Sequence, residues 1–469
     1  MQWAILIFGY VLSCAAIPHL LLSKKRPAST LAWFWAILLF PYLGSIAYAL
    51  LGADRMSRRR LRRIAKMNFL KHGESLSSAQ KLSEETPAAR GLLRAMANIN
   101  QIPPSTATSL RLLIGAAEFY PALKQRIAEA RHHIHIEIFI WRADEYGREF
   151  LDALVAAARR GVEVRLLLDQ LGCFGVGRGF FQPLIDAGGQ FSWFYSYRFW
   201  KHSRFINLRN HRKLQIIDGV HAFVGGMNIG REYAGKDPDL GIWRDTQIEA
   251  CGNVVTFLQE TFATDWFFAT EEKLVSDDYY PEATAGAGHP CQVIAGGPDS
   301  PREPVPKSLL ALLNFATERL WIATGYFAPD VLLLSALQVC AARGVDVRVL
   351  VSEKSDHPYL VQIGRSYYED LLRFGVRVFE YSKGVNHSKA MMIDSEWMMI
   401  GSANSDNRSM RLNFELNLLC RAPAEAQRLE KMFEVDFAAS HEVTLEEFAN
   451  RPLGRRLLES ALRPLAPLL

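Results

Sequence analysis

Two short segments of this chain carry side chains able to do nucleophilic and acid–base work together. In the first, His211 is followed by Lys213, Asp218, Gly225, Gly226 and Asn228. In the second, His387 is followed by Lys389, Asp394, Gly401, Ser402 and Asn404. The pattern HxKxxxxDxxxxxxG[GS]xN thus occurs twice at identical internal spacing. A single copy is a weak signal, because any one histidine is more often a satisfied structural residue. Two copies in step are a strong one. In a strand, residues two apart share a face, so each histidine and its lysine point the same way. A glycine-rich turn after the apolar runs LQII and AMMI lets a second strand return closely, carrying Asn228 or Asn404 back toward the pair.

One such half offers an imidazole, an ammonium and an amide. Two halves face to face offer two imidazoles in a cationic pocket, which suits phosphodiester exchange. One neutral histidine attacks phosphorus to form a covalent intermediate. The other, protonated, gives its proton to the leaving alkoxide and later serves as base for the acceptor. Imidazole fits both tasks because its unperturbed pKa is about 6.5. Lys213, Lys389, Asn228 and Asn404 would stabilise charge on the phosphoryl oxygens, and the turn residues Gly226 and Ser402 are grouped with them as candidate phosphate-binding positions. The chemistry calls for no metal and no cofactor, and no carboxylate cluster offers to hold one. Each histidine needs a carboxylate to fix its tautomer. Asp245 in WRDTQ and Glu415 in LNFE each follow the glycine-turn strand of their own half. His132, His133 and His135 read as structural, with Glu137 and Phe139 near the pocket. Asn386-His387-Ser388 and Asn407-Arg408-Ser409 match the glycosylation pattern but overlap the site and are read as coincidence.

The elements that must position these groups also come in two copies. ARHHIHIEIFIW and the following LDALVAAARRGVEVRLLLDQLG are matched by ATERLWIATGYF and LLSALQVCAARGVDVRVLVSEKS. Each reads as strand, amphipathic helix, glycine turn and β-branched strand. Such alternation implies an α/β fold with mostly parallel sheets. The two motif histidines are 176 residues apart, a domain-sized repeat rather than a solenoid. The predicted organisation is an N-terminal apolar segment over 1–54, a basic collar and helical linker over 55–108, a first half over 109–280 and a second over 281–469. The boundary is placed at YYPEATAGAGHP.

The N-terminus places the protein. Residues 1–23 contain no Lys, Arg, Asp or Glu, and neither do Pro27 to Ala53. Each stretch exceeds the ~20 residues a bilayer-spanning helix needs. Two transmembrane helices are therefore expected, the second bent or re-entrant at Pro41 and Gly44. A cleaved signal peptide is disfavoured by the absence of a basic start. Seven positive charges follow the second stretch, from Arg55 to Lys66, against three in the intervening loop, Lys24 to Arg26. That bias puts the body on the cytoplasmic side of a multi-pass protein. The collar would also attract anionic lipid headgroups. The net charge of +5 over 469 residues is modest for a nucleic-acid binder. The six scattered cysteines read as buried, reduced thiols.

The segments NHRKLQIIDG, FVGGMNIGREY and WRDT, with HSKAMMID and IGSANSDNRSMRLNFE, resemble the two HKD motifs of the phospholipase D superfamily. With two apolar N-terminal segments, a basic collar and the tail RPLGRRLLESALRPLAPLL, the layout is similar to that of the bacterial cardiolipin synthases. The resemblance implies two phospholipase D-like α/β halves packed as a pseudo-dimer around one site, in the inner membrane. It implies transfer of a phosphatidyl group from phosphatidylglycerol through a histidine to a second phosphatidylglycerol, giving cardiolipin and glycerol. By the family pattern His211 is the nucleophile and His387 the general acid/base, an order that the residues alone leave exchangeable. Asp245 and Glu415 become the histidine-orienting carboxylates, and Asp218 and Asp394 complete the motif as architectural support. Gln247 departs from the histidine common after WRDT in the family. The implied partners are phosphatidylglycerol, other anionic phospholipids and the membrane, without nucleic acid. Water as acceptor, phosphatidylethanolamine as co-substrate, a nuclease and an inactive membrane scaffold stand as the alternatives.

Overall fold

In the computed structural model, residues 2–22, 27–49, 85–194, 208–282 and 288–468 are described. Lys24 to Arg26, the basic run from Arg55 to Lys66 and the middle of the expected boundary lie outside them. The N-terminal unit holds the helices Gln2–Leu22, Pro27–Leu39 and Pro41–Ala47. Leu20, Ile37 and Tyr48 form its small core. The Ser13 hydroxyl donates to the Ile37 carbonyl at 3.2 Å, and His19 Nδ1 lies 2.8 Å from the Tyr48 hydroxyl. The second apolar stretch is not one helix: it breaks at Phe40, before Pro41, whose ring lacks the N–H that continuation needs. Among the described residues no helix is long and apolar enough to cross a membrane. The expected pair of transmembrane helices is therefore not what those residues show.

The body is built on two sheets of the same topology. The first runs in the order Ser109–Ile114, Thr246–Cys251, His221–Gly225, Leu214–Ile217, His133–Ile138, Glu163–Leu168 and Gln190–Trp193. The second repeats it with His289–Gly296, Asn413–Arg421, Trp397–Gly401, Ala390–Ile393, Arg319–Ala323, Asp346–Ser352 and Arg377–Tyr381. Within each of these seven-strand runs the last two pairings are parallel and the other four antiparallel, and the second sheet adds Ser440–Val443 antiparallel to Arg377–Tyr381. The expectation of mostly parallel sheets is corrected: the sheets are mixed, with an antiparallel majority. The reason lies in the motif itself. Leu214–Ile217 and His221–Gly225 form a hairpin whose turn places Asp218 and Gly219 at φ 55° and 66°. Asp-Gly between apolar runs is a strong hairpin signal. Asp394, at φ 52°, turns the equivalent hairpin of the second half.

The helix Pro87–Asn100, capped by Thr86, lies over the second half. Its Leu92, Leu93 and Met96 share a core with Val305, Leu309 and Leu312. Strand Ser105–Ala107 extends the second sheet by pairing with Cys291 to His289. The linker region thus contributes structure to the half that is remote from it in sequence.

The halves meet through a common core. Leu214, Ile216 and Val224 of one sheet and Met392, Ile400 and Leu418 of the other belong to one buried cluster with Phe262 and Phe433 of two flanking helices. At roughly 1.5–3 kcal/mol for each such side chain removed from water, this interface is far too apolar for the halves to separate. Cys173, Cys291, Cys340 and Cys420 are buried thiols as expected, whereas Cys14 is exposed and Cys251 half-buried.

Candidate active site

The two halves exchange short strands at the site. Arg209–Asn210, leading into His211, pairs in parallel with Asn413 and Phe414, just before Glu415. Gly384–Asn386, leading into His387, pairs in parallel with Ile242–Arg244, just before Asp245. The backbone N–H of His211 donates to the Phe414 carbonyl at 3.0 Å, and that of His387 to the Arg244 carbonyl at 2.7 Å. This reciprocal pairing crosses the carboxylates over. Glu415 of the second half holds His211 Nδ1 of the first, at 3.0 Å from both carboxylate oxygens. Asp245 of the first half holds His387 Nδ1 of the second at 2.7 Å. With Nδ1 occupied in both rings, Nε2 is the nitrogen left for substrate. Each carboxylate follows the glycine-turn strand of its own half in sequence, yet each meets the histidine of the other half.

Both histidines, Asn228 and Asn404 line one cavity of about 410 Å³. The Asn228 Oδ1 accepts from the Ile140 N–H at 3.1 Å, which fixes the amide. Asn404 Oδ1 is buried without a hydrogen-bond partner among the described residues. Lys213 and Lys389 lie behind the histidines. Lys213 Nζ donates to the carbonyl of His211 at 2.7 Å, and Lys389 Nζ to that of His387 at 2.5 Å.

Burial and mutual repulsion set the charges. Burial, with Lys389 nearby, pulls the Lys213 ammonium down to about 7. Burial pulls Lys389 down to about 8 against the pull of Asp245 and Glu415. Burial takes His211 down to about 4, opposed by Glu415 and assisted by Lys213. Burial and Lys389 likewise lower His387 from its ordinary value, opposed by Asp245. Burial raises Glu415, but His211 and Lys213 outweigh it and hold the carboxylate below its usual range. An empty site is therefore one of neutral imidazoles, and an arriving phosphodiester anion would favour their protonation.

The remaining expected residues serve other ends. Asp218 accepts the backbone N–H groups of Arg131, His132 and His133 at 2.9, 2.8 and 3.0 Å. Asp394 does the same for Thr317, Glu318 and Arg319. Both sit at the hairpin turn, the far end of the strand from the histidines, so they tie strands together and do not reach the cavity. Gly226 and Ser402 are corrected as phosphate contacts. A Cβ on Gly226 would lie 2.1 Å from Asp245 Oδ1. The buried Ser402 hydroxyl donates to Glu415 Oε2 at 2.5 Å. Both positions make room for or brace the carboxylates. Gln247 is buried and bonds Gln215 and the Met227 N–H. Phe139 lies against His211, with ring centroids 4.7 Å apart, while Glu137 bonds Asn210 behind the cavity wall. His133 and His135 are buried in the first half, away from the cavity.

Several cavity residues escaped sequence reasoning. Arg209 and Arg408 line it, close enough that burial and Arg209 together lower the Arg408 guanidinium. Trp243 and Tyr326 pack against the His387 ring at 5.0 and 6.0 Å. Asp356 accepts from the Tyr326 hydroxyl at 2.8 Å. Arg408 stands within IGSANSDNRSMRLNFE and Arg209 immediately precedes NHRKLQIIDG, so both could have been weighed. Asp356 carries no motif signal; it lies just beyond the carboxyl end of a parallel strand, where such sheets place ligand-binding loops.

Two topologically identical halves, pooling one His–Lys pair each around a shared cavity, define a phospholipase D-like fold. The family model "Cardiolipin synthase, PLD-like domain" matches residues 123–266 and 309–437, and "Phospholipase_D-nuclease N-terminal" matches 11–52. The chain is 37% identical to the cardiolipin synthase of Geobacillus kaustophilus over 99% of its own length and 94% of the relative's. It is 36% identical to cardiolipin synthase A of Pseudomonas fluorescens, covering 98% and 97% of the two chains. The crystal structure of the Haemophilus influenzae phosphatidylserine synthase superposes with a TM-score of 0.61 at 16% identity, over 81% of this chain and all of that one. The chain belongs to the cardiolipin synthase family of the phospholipase D superfamily. It is an enzyme of that type, a phospholipid phosphatidyltransferase.

Proposed function

We propose that the protein makes cardiolipin and glycerol from two phosphatidylglycerol molecules through a phosphatidyl-histidine. His211 Nε2 attacks the donor phosphorus, and the P–O bond to the headgroup glycerol breaks. His387 gives its proton to the departing alkoxide, and glycerol leaves. The terminal hydroxyl of a second phosphatidylglycerol then attacks phosphorus, its proton passes to His387, and the P–N bond breaks. Two features support this division of labour. The deep depression of His211 keeps it neutral and nucleophilic at neutral pH. The 2.7 Å bond that His387 Nδ1 donates to Asp245 suits His387 for the imidazolium that forms in turn.

The observation that carries the reading is the crossed pair of carboxylate-held histidines on a single cavity. Lys213, Lys389, Asn228 and Asn404 would stabilise the phosphoryl oxygens. Arg209 and Arg408 lie on the same cavity and would hold the second phosphate that an anionic acceptor brings. We read the apolar N-terminal segments as an inner-membrane anchor, with the body on the cytoplasmic side. The test gives purified full-length protein phosphatidylglycerol alone, then with phosphatidylethanolamine, and reads lipid products by mass spectrometry. Cardiolipin and glycerol from phosphatidylglycerol alone are expected. Phosphatidic acid as the sole product, or cardiolipin only with phosphatidylethanolamine present, would overturn the reading.

A further inference from the structure

The C-terminal helix Leu453–Leu462 is inverted relative to an ordinary surface helix. It buries its one acidic residue, Glu459, completely, and exposes Leu453, Leu457 and Leu458 at 67%, 61% and 51%. The inversion is held in place. Arg451 grips Glu459 at 2.8 Å, and Arg463 bonds Asp370 at 2.7 Å and the Ser366 carbonyl at 3.0 Å. Leu458 and Leu462 share a groove with Tyr359 and Gln362, and Tyr359 also lines the catalytic cavity.

The first half offers a counterpart. After strand Glu163–Leu168 the chain makes a compact loop. Asp169 accepts the N–H groups of Leu171, Gly172 and Asn210, which ties the loop to the first motif. Cys173 and Val176 are buried, yet Phe174 between them is 82% exposed. Leu171, whose carbonyl accepts the Phe174 N–H at 3.0 Å, lines the catalytic cavity. Apolar side chains on braced backbone at both sides of one cavity are not scattered surface residues; clustered exposure of this kind marks an interaction surface.

We propose that Phe174 and the leucines of helix Leu453–Leu462 form an interfacial docking rim that seats the cavity mouth on an anionic phospholipid bilayer. The inference rests on the reading that the substrates are membrane phospholipids. The occupant is a bilayer because the patch is continuous with the cavity that receives lipid. Exposed Arg178, Arg455 and Arg456 flank the apolar residues, the pairing of leucine or aromatic wedge with basic collar that suits headgroups over acyl chains. A seated rim lets a lipid move from membrane to histidines without crossing water.

The test uses the full chain in phosphatidylglycerol-containing vesicles. A benzophenone amino acid replaces Phe174, Leu458 or, as control, Val220, which is exposed on the hairpin turn at the far end of the first sheet. Illumination should give lipid adducts at positions 174 and 458 and none at 220. In parallel, the variant Leu457→Ser with Leu458→Ser should raise the KM for vesicle phosphatidylglycerol about tenfold, as lost apolar insertion predicts. Turnover of a monomeric short-chain phosphatidylglycerol should stay at the wild-type level. Equal adducts at 220, protein–protein crosslinks at 174 and 458, or equal losses on both substrates would overturn the proposal. The adducts form without turnover, so they test the rim even if the wild-type product proves not to be cardiolipin.

Discussion

Because the carboxylates are crossed, Asp245→Asn should injure the second-half histidine and Glu415→Gln the first-half one. The structure sets the size of each effect. Asp245 makes one 2.7 Å bond to His387, and a hydrogen bond to a charged partner contributes roughly 1.5–3 kcal/mol. Losing it at the moment His387 carries a proton lowers turnover on phosphatidylglycerol by roughly 10–100-fold, and misorientation of the ring brings the loss toward the roughly 10⁴-fold seen for triad aspartates. A substrate with a good leaving group separates the two histidines. With phosphatidyl-p-nitrophenol the departing phenolate needs no proton, so only the nucleophile matters in the first step. Stopped-flow measurement of the p-nitrophenol burst should find it nearly intact in Asp245→Asn and strongly slowed in Glu415→Gln. Steady-state turnover should fall in both, since His387 must still activate the acceptor. Equal slowing of the burst in both variants, or slowing in Asp245→Asn alone, would refute the assignment.

Three further outcomes follow from the same geometry. In the free enzyme Lys213 loses its charge near pH 7 and Lys389 near pH 8, so kcat/KM should fall across that window, and Lys213→Arg should move the limb upward. His211, whose pKa is lowered by folding, contributes stability that is present above the unfolded value of about 6.5 and is lost as pH falls toward 4; the melting temperature should drop through that window, less steeply in His211→Gln. Asp218→Ala removes the acceptor for three backbone N–H groups at the hairpin turn and should cost about 2 kcal/mol in denaturant melts, while the folded fraction keeps its turnover number. A loss of turnover without a loss of stability would place Asp218 in the catalytic set.

Much of this protein was legible in one dimension. The repeat of His, Lys, Asp, Gly and Asn at equal spacing depends only on chain order, and so does the duplication of strand–helix–strand units. Those features named the two halves, the two histidines and the chemistry of phosphodiester exchange. Sheet direction was misread because strand–helix alternation was extended across segments that Asp218-Gly219 and its counterpart turn back as hairpins. Proximity between halves was beyond reach. Nothing in the spacing of Asp245 or Glu415 tells which histidine each will meet, because the pairing is made by strands of two and three residues that exchange between the halves. The cavity, its arginines and aromatics, and the depressed lysines exist only once two buried faces have closed around them. Residue type and spacing determine which groups are present. Burial and the distances set by a common core decide their charge, their partners and their roles, because desolvation and Coulomb forces act through space and not along the chain.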